Sequence, residues 1–384
     1  MRVVWRPVVA WSLVTACGFT SPGSGVIPDD GPPHDTVVLD GVLVDAAGFD
    51  VIPSLCFGPA GAYQVCLPEA PSGPLALASA ISTDVCAGGL VLALTAGPDV
   101  CVLAGTTVTA NDSVIAFGSR PLVVLATGSM TISSGATIDV SSRRGQQPGA
   151  GADYAGCAPG GAPQADDEGG SGGVGGSFGT AGGAAGRSTR GNSTSGPPAP
   201  ASMASFLRGG CPGRAGGNGT GAGGATGSGG GAVYLVSAGA LELQGRINAS
   251  GAGGGGAPAG RGGGGGGGSG GMIVLFGAPL VVDAGAQVWA NGGGGGGGAA
   301  TNSSGSDGSH APNAATGGNR GTGGDGPGGS GDGGDGGFGA VQLDPGGAGD
   351  TEGRGGGGGG GGVGVIVNLS SNAPAGGAFS PPPS

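Results

Sequence analysis

The chain contains no lysine. A phosphate-cradling P-loop needs one, so that nucleotide-binding motif is excluded. Histidine occurs only at His34 and His310. No cysteine pair has the roughly two-to-four-residue spacing of a zinc knuckle, which leaves no zinc motif. Past the N-terminal stretch, no apolar run approaches the ~18 residues of a membrane helix. Charge of either sign is sparse: 13 arginines face 24 acids, for a formal charge of −11. Phosphate backbones and anionic headgroups repel a chain of that sign, which excludes nucleic acid as a partner. Strings of the G-x-G-x-x-G and G-x-S-x-G type do occur. They are expected by chance at this glycine content, and none sits between a strand and a helix.

What the chain has instead is glycine, 104 of its 384 residues. It also has a marked N-terminus. Arg2 and Arg6 precede an apolar stretch from Pro7 to Ala16, followed by Cys17. A charged start, a short apolar core and small residues before the cut mark a secretory signal. Val14-Thr15-Ala16-Cys17 matches the bacterial lipobox, so residues 1–16 read as a lipoprotein signal peptide and Cys17 as the lipidation site. Cleavage there removes Arg2 and Arg6 and no acid, moving the formal charge from −11 to −13. The expected partner is a membrane, reached through the lipid anchor. Gly18 follows the cysteine, with no aspartate to signal inner-membrane retention, and this favours an outer-membrane lipoprotein exposed at the surface.

Cys56, Cys66, Cys86, Cys101, Cys157 and Cys211 remain. An even set in an exported chain suggests a disulfide framework. Six cysteines allow ~15 pairings. Sequential pairing is the simplest, and would tie Cys157 to Cys211 across a long Gly-rich loop.

Residues 17–35 are rich in Pro, Gly, Ser and Asp and read as a flexible tether. Short β-prone runs begin near Thr36, and 36–120 reads as a disulfide-braced β cap. An internal repeat follows within 121–370. One copy runs Leu122–Leu125, Ser129–Ile132, Gly135–Val140. The second runs Val233–Val236, Ala240–Leu243, Gly245–Ala249, and the third Met272–Leu275, Leu280–Val282, Gly285–Ala290. A truncated copy starts at Val363, and weaker ones lie at Thr106–Phe117. Short strands turned by glycine at a fixed period predict an all-β fold with a short β-solenoid core, in which Ile138, Ile247 and Val288 stack as an interior column. Hairpins of a β-sandwich are the alternative. Residues 371–384 form a Pro-rich tail.

Glycine-rich inserts occupy 142–231, 251–271 and 292–362. Each leaves after the third strand of a copy, which would place all of them on one side of a stack. Flexible coil is the default for such composition. A local period of three, as in Gly169-Gly170-Ser171-Gly172-Gly173-Val174, suits extended polyproline-II-type helices packed through their backbones as a polyglycine-II bundle.

The lipobox, the Cys-spaced β start, Leu207-Arg208-Gly209-Gly210-Cys211 and the Gly229–Val236 opening resemble glycine-rich surface lipoproteins of myxobacteria and their relatives. That resemblance implies an anchored surface protein. The PE-PGRS-like label some of them carry rests on glycine content, and the helical PE domain has no counterpart here. The pattern over 142–370 is also similar to the glycine-rich region of anaplastic lymphoma kinase-type receptor ectodomains. This implies packed polyglycine helices and bears on fold alone.

No catalytic set emerges. His34 lies in the tether and His310 in a Gly/Ser block. Asp139 aligns with Asn248 rather than another acid, and Glu242 and Asp283 complete no carboxylate pair of the kind glycoside hydrolysis uses. Gly328-Gly329-Ser330-Gly331-Asp332 begins a calcium-binding nonapeptide and then slips register. Asp325, Asp332 and Asp335 are therefore calcium candidates only in a partial motif, against plain solvated acids. No cofactor is expected. The sequence predicts a structural or adhesive envelope protein that contacts a surface glycan or protein. The alternatives are a glycan-binding module and a polysaccharide-degrading solenoid enzyme. Tyr234, Phe276, Trp289 and Phe338 are the large anchors, expected in the core or seams.

Overall fold

The computed structural model describes residues 55–203, 205–311, 321–338, 350 and 354–384. The signal peptide, Cys17, the tether and His34 lie outside them. The described residues form strands and no helices. In chain order these are β1 (Leu55–Phe57), β2 (Val65–Leu67), β3 (Leu75–Ala76), β4 (Ala80–Ser82), β5 (Leu90–Leu92), β6 (Val100–Gly105), β7 (Val108–Ala110) and β8 (Val114–Phe117). The three sequence copies supply β9 (Leu122–Ala126), β10 (Met130–Ile132) and β11 (Thr137–Asp139), then β12 (Ala232–Ser237), β13 (Leu241–Leu243) and β14 (Arg246–Asn248), then β15 (Met272–Phe276), β16 (Leu280–Val282) and β17 (Gln287–Trp289). β18 (Val365–Asn368) and β19 (Ala378–Ser380) end the series.

Strands within one copy do not pair with each other. Each pairs in parallel with its equivalent in the neighbouring copy. The first sheet runs β18-β15-β12-β9-β6-β5, the second β16-β13-β10-β7-β3, and the third β19-β17-β14-β11-β8-β4. Only β5 breaks the rule, lying antiparallel to β6. β3, β4 and β6–β8 belong to these same sheets, so the pairing runs straight across the expected boundary at residue 120. Outside the sheets, β1 and β2 form an antiparallel hairpin with Cys56 opposite Cys66.

The alternation of apolar residues explains the core. In the third sheet Val114, Ile138, Ile247, Val288 and Phe379 stand in register, and all are buried in one cluster. The expected column of Ile138, Ile247 and Val288 is therefore present, extended at both ends. The first sheet differs, because β9 and β12 are buried along their whole length. Such near-continuous apolar runs belong to parallel strands covered on both faces. Its inner residues, such as Val124, Leu235 and Ile273, join the column's cluster. Its outer residues, Val123, Tyr234 and Val274 among them, pack under β2 and against Phe178 and Leu207.

Tyr234 sits in this outer layer, edge-on to Tyr63 with ring centroids 6.3 Å apart. Its buried hydroxyl has no hydrogen-bond partner, and burial pushes its pKa well up. An unpaired buried hydroxyl costs about 1–3 kcal/mol. Tyr234→Phe is therefore expected to raise the unfolding free energy by about 1 kcal/mol, read as an increase in denaturation midpoint; a lower midpoint would show that the hydroxyl contributes.

Two edge strands of the last copy, β16 and β18, are partly covered by a side chain and the tail. Asn372 donates from Nδ2 to the Leu280 carbonyl (2.7 Å) and accepts at Oδ1 from the Leu280 N–H (3.1 Å), copying a rung of β pairing along edge strand β16. Ser384 does the same for β18, accepting from the Asn368 N–H and donating to the Ile366 carbonyl, both at 3.0 Å.

The described residues of the glycine-rich inserts are neither strand nor coil without bonds. They leave after β11, β14 and β17 and return at β12, β15 and β18, so each connects the third sheet to the first. The stretch 262–271 shows how they pack. Its N–H groups at Gly263, Gly266 and Ser269 reach the carbonyls of Gly217, Arg214 and Cys211. Those at Gly264, Gly267 and Gly270 reach Gly356, Gly359 and Gly362, and those at Gly265, Gly268 and Gly271 reach Gly255, Ala252 and Ala249. Three further segments donate back: Gly173 and Gly176; Gly224, Gly227 and Gly230; Gly293, Gly296 and Ala299. These bonds measure 2.7–3.0 Å. Each turn of three residues thus faces three acceptor neighbours and three donor neighbours. The arrangement answers the backbone accounting that a buried segment without side chains must meet.

Candidate functional site

The six paired cysteines join in sequential order: Cys56–Cys66, Cys86–Cys101 and Cys157–Cys211. The third bridge braces the glycine-rich corner. Arg208 lies over it, almost fully buried, with its guanidinium 4.1 Å from the Phe178 ring centroid and 5.1 Å from that of Tyr154. Nη2 donates to Ser202 Oγ (2.8 Å), and Nη1 lies 3.5 Å from Cys211 Sγ and 3.6 Å from Cys157 Sγ. Two aromatic faces and the bridge thus hold this cation, and burial lowers its pKa from the ordinary arginine value.

The calcium candidates do not gather. Asp332 Oδ1 accepts from the Gly326 N–H (2.6 Å) and Asp335 Oδ1 from the Gly323 N–H (2.9 Å). Asp325 offers its backbone carbonyl to the Ser306 N–H (2.8 Å). The carboxylates of Asp332 and Asp335 thus each accept from a backbone N–H of the third glycine-rich insert. Among the described residues there is no group of three or more His, Cys, Asp or Glu side chains able to hold a metal ion. The expected anchors divide: Tyr234 and Trp289 are buried, whereas Phe276 and Phe338 are only half-buried. Trp289 is 3% exposed and so offers no free ring to a sugar, which removes it as the aromatic platform of a glycan site.

Sequence reasoning missed a polar corner where the third sheet meets the inserts. Asp139, on the outer face of β11, is in register with Ile115 on β8 and Asn248 on β14. Its Oδ1 accepts from the Ser141 N–H (2.9 Å) and its Oδ2 from Arg143 Nη2 (2.5 Å). Fully buried Ser142 fixes the loop that follows, donating to the Gly229 carbonyl (2.5 Å) and accepting from the Gly149 N–H (3.0 Å). Ala150 then bonds back to the Ala116 carbonyl of β8 (3.1 Å). Arg144, on the exposed part of the loop, pairs through Nε with Asp307 Oδ2 (2.9 Å). Burial and the Arg143 charge push the nearby His310 imidazole below its ordinary value, and Asp139 opposes them. His310 itself is half-buried.

Two adjoining cavities open on the loop. One, of 280 Å³, is lined by Ile115, Phe117, Asp139, Ser141, Arg143 and Gln147 among others. The second, of 340 Å³, is lined by Arg144, Thr226, Ser228 and Gly253, and shares Arg143 and Gln146 with the first. The signal available in the sequence was Arg143-Arg144, the only adjacent arginines in the chain. No hydrogen bond joins a serine hydroxyl to His310 among the described residues, so the corner holds no nucleophile–base pair of the triad type. Glu242 lies on the second sheet, opposite Thr131 and Val281, away from Asp139 on the third.

No protein-family model matches the chain, and no curated protein or solved structure matches it.

Proposed function

We propose that the protein is a lipid-anchored envelope protein in which a β-solenoid carries a polyglycine-II bundle, and that its role is structural and adhesive rather than catalytic. The observation that carries this reading is the backbone bonding of 263–269, in which every N–H and carbonyl is paired with one of six neighbouring segments. A bundle so bonded, braced by the Cys157–Cys211 bridge, is a stiff body rather than a spring. Stiffness suits display and contact. Three disulfides agree with an oxidising compartment, and the lipobox at Cys17 supplies the tether.

Cys17→Ser tests the anchor. The variant is expected in the soluble fraction after lysis, with the parent chain in the membrane fraction; retention in the membrane would overturn the lipoprotein assignment. External protease on intact cells then tests display. Digestion without permeabilisation is expected, and complete protection would place the protein inside the envelope.

A further inference from the structure

We infer that the two-cavity groove beside Arg143 is a binding site for a neutral sugar chain. This gives the adhesive reading its ligand class and rests on that reading only for access to external polymer.

The lining decides the chemistry. Each arginine in the groove is already matched by a carboxylate, Arg143 by Asp139 and Arg144 by Asp307. The groove therefore presents donors and acceptors in balance rather than net charge. Each of these guanidinium groups uses one nitrogen in its ion pair, and the other N–H groups have no protein partner among the described residues. Gln146 and Gln147 are exposed and add amides that both donate and accept. Ser141 Oγ is buried at the groove with no hydrogen-bond partner, and a buried hydroxyl left so is costly unless something completes it.

Apolar surface lies beside these groups. Ile115 is 49% exposed on the outer face of β8, and Phe117 is half-buried two residues along the same strand. Hydroxyl groups that both donate and accept, set on a ring with an apolar C–H face, match this mixture. Together the two cavities fall in the ordinary size range of ligand sites, and Arg143 and Gln146 line both, so neighbouring units of one chain could share these donors. The formal charge of −11 disfavours a polyanion in the same place.

Binding is best measured by calorimetric titration of the purified, detergent-solubilised mature protein. The probes are cellohexaose, maltohexaose, xylohexaose and mannohexaose, with polygalacturonate as the anionic counterpart. At least one neutral hexasaccharide is expected to bind. The Gln146→Ala/Gln147→Ala double variant touches only exposed side chains, so its fold should survive, and it is expected to weaken that binding about tenfold through the loss of two or more hydrogen bonds. Arg143→Lys, which keeps the charge opposite Asp139 but loses the planar fork, is expected to weaken it as well. No binding by any neutral probe, binding of polygalacturonate alone, or unchanged affinity in both variants would each overturn the assignment. Since the titration uses detergent-solubilised protein, its failure is separate from any failure of anchoring or display.

Discussion

Gly267→Ala is expected to destabilise the protein by about 3 kcal/mol, more than a single methyl group costs in most places. A Cβ at this position would lie closer than 3.0 Å to the backbone of Gly293 and Gly294. Those atoms belong to a neighbouring segment and cannot swing aside as the end of a side chain can. Making room means separating two segments that are also tied to others, and the cost adds overpacking to weakened hydrogen bonds. Gly285→Ala is the matched control. It lies in the turn between β16 and β17, where a Cβ would meet nothing within 4 Å. There the loss of unfolded-chain freedom should leave stability unchanged or raise it by about 0.5 kcal/mol. Chemical denaturation of both variants checks the pair. Equal midpoints for the two would mean that 262–271 is not closely packed.

The second large effect belongs to the Cys157–Cys211 bridge. Replacing both cysteines by alanine is expected to cost about 4 kcal/mol, the chain-entropy value for a loop with a sequence separation of 54. The Cys56–Cys66 bridge closes a separation of only 10, and its removal should cost less, about 3 kcal/mol. Position as well as length sets the difference. Cys211 is both a bridge cysteine and a backbone acceptor for Ser269 in the packed corner, and the Arg208 cation stacks beside it. Without the bridge, limited proteolysis should cut first within 142–231. A digestion pattern identical to that of the parent chain would show that the backbone bonds hold this region unaided.

The copies at Leu122, Val233 and Met272 were legible because each keeps its own alternation of apolar residues. Their register followed from that alone: Ile138, Ile247 and Val288 pair as the repeats align. The pairing of the six cysteines was also legible as the simplest of the open choices. The earlier strands β3 and β4 were not, because two or three residues such as Leu75-Ala76 carry too little pattern to distinguish a strand from a turn. The packed inserts were legible only as a period of three. Composition favours coil there, and the outcome depends on which distant segments meet, which glycine by itself does not encode. The Arg143 corner was hidden for a related reason. Its groups come from β8, the loop after β11 and the later inserts, and only the stacking of copies brings them together.

The clamp made by Asn372 and Ser384 has a consequence for crowded surroundings. A stack of parallel strands ends in a template, and an open template invites the next copy of the same chain to add on. Here the rung that an incoming strand would form at Leu280 is already occupied by a side-chain amide, and that at Ile366 and Asn368 by the Ser384 backbone. A strand arriving at β16 or β18 thus finds those two positions already paired and would first have to displace Asn372 or Ser384.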